Sequence, residues 1–282
     1  MAVILAVVTG SDADTTLLDH AAAAFDGGHV EVLHVRRDPR EAIPLVGEGL
    51  SPDLVQRMLD EAAQDTDRRA QHARATFDAW RVRSGADISA EPCASETLTT
   101  RWTETVGRLE TIVPTTGRLA DLIVLGRPGT SGVDGQAAVE AALFGSGRPV
   151  LLVPHGAPVR RDAAAIFWNG SAEASRAVGA ALPALRRCAK VHVIQLHEHP
   201  DTPPAKSELA DYLAWHGISA SIATLAADYR DPGEALLQEA ARLGANLIVM
   251  GAYTHSRMRQ MILGGVTSHV MTAADVPILL SH

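Results

Sequence analysis

The residues with the clearest potential for chemistry lie near the end of the chain, where glycines and a hydroxyl side chain follow an apolar run. The run Leu247-Ile248-Val249-Met250-Gly251 leads into a loop, and Gly264-Gly265-Val266-Thr267 opens a stretch with helical spacing. Glycine backbone at the start of a helix can aim N–H groups at an anion. The pattern therefore predicts a strand, a glycine loop and a helix that could bind a phosphate. Turn geometry and close packing are the alternative interpretation of these glycines.

A second group of residues follows apolar runs earlier in the same half. Asn169, Gly170 and Ser171 come after the run 163–168, and Leu196 ends the run 191–196. Ligands of parallel α/β sheets bind where the carboxyl ends of the strands meet. We therefore expect the loops after Trp168, Leu196 and Met250 to converge at one edge of a sheet.

Other chemistries lack the residues they need. A Gly-x-Ser-x-Gly sequence at a strand-to-helix elbow and a Gly-Lys-Ser/Thr phosphate loop are both absent, and Ser11 and Ser171 have no identifiable base. The run His197-Glu198-His199-Pro200-Asp201 has the composition of a metal site, but polar residues are expected in a loop, and no second ligand set can be assigned. We predict no catalytic residues and no metal, and an enzyme is the less favoured class.

The elements that must position these residues occur twice along the chain. Four pairs of runs match in order, and their offset falls from 161 to 125 residues, so the first half carries 36 more residues somewhere after Val35. The matching runs are 3–11 with 163–171, 30–35 with 191–196, 122–126 with 247–251, and 149–152 with 277–280. The repeat predicts two domains, residues 1–156 and residues 161–282.

Alternating apolar runs and amphipathic stretches predict an α/β fold of two tandem three-layer α/β/α domains, each with a mainly parallel five-stranded sheet. The additional residues of the first half read as a loop over residues 38–49 and a long helix. Ser51 caps that helix, which runs to about Val82. Its predicted apolar stripe consists of Leu54, Val55, Met58, Leu59, Ala62, Ala73, Phe77 and Trp80.

Two prolines interrupt predicted helices. Pro114 lies in the stretch 108–119, which should be the helix before the run at Leu122, so we expect that helix to be short, kinked or displaced. Ser171 can cap the helix that follows it, and Pro183 inside that helix is expected to kink or shorten it.

Composition limits the classes of partner. The chain of 282 residues is 46% hydrophobic with a net charge of −8, so it has no basic surface of the kind that binds nucleic acid or an anionic membrane. The apolar start of the chain has no basic region before it, and no apolar run is long enough to cross a bilayer. Cys93 and Cys188 fit a reducing compartment. We expect a cytoplasmic protein.

These residues resemble the universal stress protein family, whose signature is G-x2-G-x9-G-[ST] after a strand of the form Leu-Ile-Val-Met-Gly. The second half has Gly251-x2-Thr254-x9-Gly264-Gly265, continued by Val266 and Thr267. The resemblance implies a Rossmann-like fold and, as the one cofactor, ATP or another adenine nucleotide. The residues it implies for nucleotide binding are Asn169, Gly170, Leu196, Met250, Gly251, Thr254, Gly264, Gly265, Val266 and Thr267.

Three departures from the family pattern bear on the ligand. Asn169 stands in place of an acidic residue, Thr254 in place of the second glycine, and Gly265 in place of a hydroxyl residue. Asn169 can hydrogen-bond a ribose hydroxyl or cap its own turn. Arg257 and Arg259 could compensate by pairing with phosphates.

The first half keeps less of the signature. Gly126 and Gly129 match its first two glycines, but counting along the chain places Val139 and Glu140 where glycine and serine belong. The carboxylate of Glu140 would repel a phosphate, so we predict that this half binds no nucleotide phosphates by this motif.

The resemblance implies a binding or regulatory protein of the stress response rather than an enzyme, with a nucleotide in the second domain. A nucleotide-independent module that binds an unknown protein partner through the long helix is the alternative, and slow ATP hydrolysis is a third. The halves should pair as an intramolecular pseudo-dimer, with residues 150–153 beside residues 278–280, and a further homodimer stays open.

Overall fold

The structure is a computed structural model that describes residues 1–42, 51–89, 91–92, 95–127, 135–197, 208–226, 230–252 and 265–282. The first half consists of β1 (Val3–Val8), α1 (Asp14–Ala23), β2 (Gly28–Arg36), α2 (Pro52–Ser84), β3 (Asp87–Ile88), β4 (Leu98–Val106), α3 (Leu109–Gly117), β5 (Leu122–Gly126), α4 (Gly135–Gly145) and β6 (Val150–Val153). A 3-10 turn, Pro39–Ala42, lies between β2 and α2. The second half consists of β7 (Ala163–Phe167), α5 (Ala172–Leu185), β8 (Lys190–His197), α6 (Glu208–Trp215), β9 (Ala220–Ala226), α7 (Pro232–Arg242), β10 (Leu247–Gly251), α8 (Gly265–Ala273) and β11 (Ile278–Ser281).

The described strands form one eleven-stranded sheet in the order β3-β4-β2-β1-β5-β6-β11-β10-β7-β8-β9. Neighbouring strands are parallel except β6 and β11, which pair antiparallel with Leu151 opposite Leu279. The mainly parallel α/β fold and the pairing of residues 150–153 with residues 278–280 are thus confirmed. The two sheets are continuous rather than separate, and the two-residue strand β3 adds a sixth strand to the first half.

Helices cover both faces of the sheet because successive strand residues point to opposite faces. Ile4, Ala6 and Val8 of β1 face a core built with α1, α2, α5 and α6. Leu5 and Val7 of the same strand face a second core built with α3, α4, α7 and α8. The predicted three-layer arrangement is confirmed.

The long helix α2 is the counterpart of α6, since each follows the second main strand of its half. It has 33 residues against 8, so the additional residues lengthen an element that both halves possess. Ser51 caps it as predicted, with its side chain accepting a hydrogen bond from the Leu54 N–H at 3.3 Å. A helix of this length spans about 50 Å, whereas the nine residues of β2 span about 30 Å, so α2 extends beyond the sheet.

Only the second part of the predicted α2 stripe is buried. Ala73, Phe77 and Trp80 lie in the core, and Phe77 packs on Trp102 of β4 with ring centroids 5.3 Å apart. The first part stays exposed or half-buried and consists of Leu54, Val55, Met58, Leu59 and Ala62. The spacing of apolar residues along the sequence indicated which face of α2 is apolar, but it did not indicate where the sheet beneath that face ends.

The two prolines have different consequences. Helix α3 is nine residues long, so the short helix, one of the three expected outcomes, is confirmed, and it packs mainly on α4 as the equivalent α7 packs on α8. Helix α5 continues through Pro183 to Leu185. Pro183 lies in the last turn of α5, where few helical hydrogen bonds remain to be lost.

Candidate functional site

The turn between β7 and α5 is held by its own side chains. The side-chain oxygen of Asn169 accepts a hydrogen bond from the Ser171 N–H at 3.1 Å. The Ser171 hydroxyl accepts one from the Ala174 N–H at 3.1 Å and caps α5. Gly170 has a φ of +74°. The turn-capping roles predicted for Asn169 and Ser171 are confirmed, and because Asn169 and Gly170 are exposed, both remain accessible at this edge.

Gly251, at the end of β10, is required by close packing. A Cβ atom at this position would lie 2.4 Å from the backbone nitrogen of Ala174, at the start of α5. The neighbouring Met250 and Leu196 contribute to the core with α7 and α8, Met250 as a buried residue and Leu196 at its border. The structure thus brings β7, β10 and the first turn of α5 together and directs the Met250 side chain into the core.

Helix α8 begins at Gly265 with an accessible N-terminus. Gly265 is exposed, and a Cβ atom there would meet open space. The first turn of α8 holds no acidic residue, Val266 is half-buried, and Thr267 is buried. The fold therefore tolerates a side chain at Gly265. Thr254, Gly264, Arg257 and Arg259, all predicted for this site, lie outside the described residues.

Charged groups of mixed sign surround this edge. Glu173, in the first turn of α5, accepts a hydrogen bond from Arg176 at 3.0 Å. A hydrogen bond from its own backbone N–H, assisted by Arg176, holds the pKa of Glu173 below its ordinary value. Arg176 also donates to the His282 carbonyl at 3.0 Å, and a ring nitrogen of His282 lies 3.1 Å from the Ala252 carbonyl. The end of the chain thus forms one border of the site.

A cavity of about 140 Å³ opens between α5 and α6, next to Trp168, the residue that precedes Asn169 in the chain. Its lining consists of Trp168, Ser175, Val178, Glu208, Leu209 and Tyr212. None of these residues was predicted to belong to the site. An aromatic residue directly after a strand, in a chain with only 4% aromatics, is the sequence signal that could have indicated Trp168.

The corresponding edge of the first half is closed by the chain itself. The buried carboxylate of Asp14 accepts hydrogen bonds from the backbone N–H groups of Thr9, Gly10 and Ser11 at 3.1, 2.7 and 3.2 Å. Burial raises the pKa of Asp14, and these hydrogen bonds oppose the rise. A protein carboxylate therefore occupies the only convergent set of backbone donors described in this turn.

Helix α2 adds a second barrier at the same edge. A Cβ atom on Gly10 would lie 2.3 Å from the Arg69 carbonyl oxygen, so the α2 backbone packs directly on the turn. A ring nitrogen of His72 lies 3.1 Å from the Gly10 carbonyl oxygen. Asp67 of α2 pairs with Arg36 at the end of β2. Thus α2 covers the carboxyl ends of β1 and β2.

One prediction for the first half was wrong. Val139 and Glu140 do not replace the glycine and serine of the signature, because α4 already begins at Gly135. Val139 is buried in the core, and Glu140 accepts a hydrogen bond from Gln136 one turn earlier. Counted back from the described ends of the two helices, Gly145 and Ala273, Val139 corresponds to Thr267 and not to Gly264, so equal spacing after the strands was the wrong assumption. The absence of phosphate binding in this half stays a prediction.

Two further observations concern only the described part of the chain. It holds no group of three or more His, Cys, Asp or Glu residues that could hold a metal ion, and residues 198–201 of the His197 run lie outside it. Among the described helices, none is both long enough and apolar enough to cross a membrane.

Together, the three-layer halves, their antiparallel join and the glycine-bearing edge define a tandem Rossmann-like α/β protein. A comparison with known proteins adds a family match for the second half. The sequence model of the Universal stress protein family matches residues 168–282. The second half of the chain thus carries the sequence pattern of this family over residues 168–282.

The similarity to individual proteins is partial in sequence and extensive in fold. The chain is 32% identical over 50 residues to the stress response protein NhaX of Bacillus subtilis, a match that spans 30% of that relative. A universal stress protein from Archaeoglobus fulgidus is 17% identical with a TM-score of 0.63, over 99% of this chain and 96% of that one. A putative universal stress protein from Pseudomonas aeruginosa is 15% identical with a TM-score of 0.54, over 100% and 93%.

Proposed function

We propose that this chain is a binding protein of the stress response that holds an adenine nucleotide at the carboxyl edge of its second half and acts in the cytoplasm. One observation carries the proposal. The carboxyl edge of the first half is filled by Asp14 and covered by α2, whereas the described part of the second edge is open at Asn169 and Gly265. The family match over residues 168–282 and the relatives named for stress response support the same role.

The arrangement suggests a role for each part of the edge. The backbone N–H groups at the start of α8 would bind phosphate, helped by the helix dipole and by the lack of an acidic residue in the first turn. The side chain of Asn169 would reach the ribose, in exchange for its hydrogen bond to Ser171. Trp168 and Tyr212, which line the cavity between α5 and α6, would offer an apolar surface to the base.

The test begins with protein denatured immediately after purification, from which any released nucleotide is identified by mass. ATP is then titrated calorimetrically into the wild type and into Gly265→Glu, which places a negative charge at the start of α8 where the structure has room for it. Ala214→Glu, on the exposed face of α6, is the matched control. We expect Gly265→Glu to weaken ATP binding by about tenfold or more. No released nucleotide together with no heat at about millimolar ATP would contradict the proposal.

We infer binding without turnover. The predicted site contains no residue that we can assign as a nucleophile or as its base. Phosphate release with saturating ATP and Mg²⁺ should therefore stay at the level of a buffer blank. Release that depends on protein concentration and disappears in Gly265→Glu would assign an ATPase activity to this site instead.

The alternative function, a protein-interaction module, is favoured by one observation. The first part of α2, from Pro52 to the turn before Arg69, stands beyond the sheet, with Leu54 37% exposed and Met58 half-buried. Removing all of residues 39–81 would also delete Phe77 and Trp80 from the core, so point substitutions are the sharper test. Leu54→Asp combined with Met58→Asp should abolish capture of a specific partner, and the exposed pair Gln56→Asp and Gln64→Asp is the control. An unchanged partner set would contradict this alternative.

A further inference from the structure

A cavity of about 80 Å³ lies where the two halves meet, on the face of the sheet that carries α1 and α5. Leu151 of β6 and Leu279 of β11, which are opposite each other in the antiparallel pair, form its floor. Phe25 after α1 and Ala184 of α5 line its sides, and Val159 of the connection between the halves lines it as well. These residues give the cavity an apolar part that is built by both halves.

This cavity is separate from the nucleotide site proposed above. It is lined by residues that precede strands, including Asp121 before β5 and Asn246 before β10. The proposed nucleotide site lies instead at the residues that follow β7 and β10. A ligand in the cavity would therefore touch different side chains and leave the start of α8 free.

Three arginines line the cavity against one acidic residue, Asp121. The carboxylate of Asp121 accepts a hydrogen bond from the Val3 N–H at 2.8 Å. Arg160 pairs with Asp162 at 2.7 Å, and Arg187 pairs with Asp26 at 2.8 Å. Arg161 donates to the carbonyl of Ala23 at 3.0 Å, and its charge, after that of Arg187, helps to lower the pKa of Asp26.

Two buried polar atoms of lining residues also lack partners. Within the described part of the chain, the Nε atom of Arg187 and the side-chain oxygen of Asn246 are buried and make no hydrogen bond. One terminal nitrogen of Arg187 donates to the carbonyls of Ala23 and Ala24 at the end of α1, and the other donates to the carboxylate of Asp26. An unpaired buried N–H of a guanidinium is costly, and an anionic acceptor is the partner that would satisfy it best.

We propose that this cavity binds a small aliphatic carboxylate. Its carboxylate would bind Arg161 and the Nε–H of Arg187, and its chain would cover Leu151 and Leu279. Burial of methylene groups against these leucines and charge-assisted hydrogen bonds to guanidinium groups supply complementary contributions to binding. Because the lining comes from both halves, the ligand also stabilises the arrangement of the two halves.

The test uses hexanoate as the probe and the full chain. Calorimetric titration should show saturable binding with a dissociation constant of about 1 mM or lower, and Tm should rise with hexanoate concentration. Hexanol, which has the same chain without the charge, should bind at least about fivefold more weakly.

Ala184→Phe fills the cavity. Ala184→Leu introduces a smaller side chain and is used in case phenylalanine disturbs folding. Either variant should weaken hexanoate binding by about tenfold while leaving ATP binding unchanged. Ala214→Phe on the exposed face of α6 is the size-matched control. Arg161→Gln should weaken hexanoate binding more than Arg118→Gln, whose guanidinium also donates to a backbone carbonyl but lies away from the cavity.

Three results would overturn the proposal: no saturable heat with hexanoate, equal affinity for hexanol and hexanoate, or full affinity in a folded Ala184→Leu variant. ATP binding is measured on the same samples. Failure of the nucleotide proposal would leave the hexanoate result intact, and failure of this one would leave ATP binding intact.

Discussion

The carboxyl edges of the two halves are built from equivalent elements. The edge of the first half is filled by its own side chains, whereas the described part of the second edge is open. In the first half, the turn after β1 donates three backbone N–H groups to Asp14, and α2 packs on Gly10. In the second half, the equivalent turn is capped by Asn169 and Ser171, the position equivalent to Asp14 is Ala174, and a Cβ atom on Gly170 would meet open space.

The difference follows from the length of one helix and from one side chain. Helix α2 has 33 residues and reaches past the sheet edge, whereas the described α6 has 8 residues. A duplicated fold can therefore keep its sheet and its cores while one copy closes its edge. The comparison teaches that the fold of each half and the accessibility of its edge are separate properties.

The largest expected effect separates the buried part of α2 from its exposed part. Phe77→Ala should lower the free energy of unfolding by about 3–5 kcal/mol, because Phe77 is 1% exposed and its removal leaves a cavity. Leu54→Ala, on the same helix, should cost less than about 0.5 kcal/mol. Urea unfolding of both variants measures the two values. Equal losses would mean that the first part of α2 is also packed.

The second prediction compares two equivalent glycines with nearly the same backbone conformation, Gly10 at φ +76° and Gly170 at φ +74°. Gly170→Ala should cost about 1–2 kcal/mol for the left-handed conformation. Gly10→Ala should cost about 1–3 kcal/mol more, because the new Cβ atom meets the Arg69 carbonyl. Chemical denaturation gives the difference, and a difference near zero would show that α2 does not close the first edge.

The third prediction removes the side chain that fills the first edge. Asp14→Ala should destabilise the protein by about 1–3 kcal/mol, because it leaves the N–H groups of Thr9, Gly10 and Ser11 without their acceptor. Asp12→Ala is the control, since the Asp12 side chain is 88% exposed, and it should change stability by less than about 0.5 kcal/mol. Thermal melts at pH 7 compare the variants, and similar effects would contradict the role assigned to Asp14.

The smallest effect concerns pH and two equivalent positions on the second strand of each half, Glu31 and His192. Burial alone would raise the pKa of Glu31, but the hydrogen bonds from His29, Thr103 and Arg101 outweigh it and lower the pKa. The stability that ionised Glu31 contributes is therefore fully present above pH 4.5, its ordinary pKa. It is lost as the pH falls through the lowered pKa of the folded protein.

Burial lowers the pKa of His192, and the positive charge of Lys190 lowers it further. On acidification, the His192 imidazole therefore takes up a proton at a higher pH in the unfolded chain than in the folded protein. Stability is then lost as pH falls below the ordinary value of 6.5. We expect His192→Gln to flatten the pH dependence of unfolding below pH 6.5, and Glu31→Gln to flatten it below pH 4.5. Denaturation from pH 7 downward tests both, and the opposite order would contradict the assignment.

Much of the fold could be predicted because its signals are local. Each of these signals depends on residues within a turn or two of one another. They are the apolar runs of β1, β5, β7 and β10, the caps at Ser51 and Ser171, and the disturbance of α3 by Pro114. The site was less accessible to prediction. Glu140 was misplaced because the spacing after the strands was assumed to be equal in the two halves, and Trp168 and Tyr212 come together only where α5 meets α6.

By itself, the sequence determined the repeat and the layers, because periodicity and caps express the preferences of neighbouring residues. Only the tertiary structure decided which part of α2 is buried, that Gly10 lies against Arg69, and that Leu151 meets Leu279 across the two halves. Those contacts join residues far apart in the chain. Their outcome depends on where a long helix crosses the end of a sheet, which a pattern along the sequence does not contain.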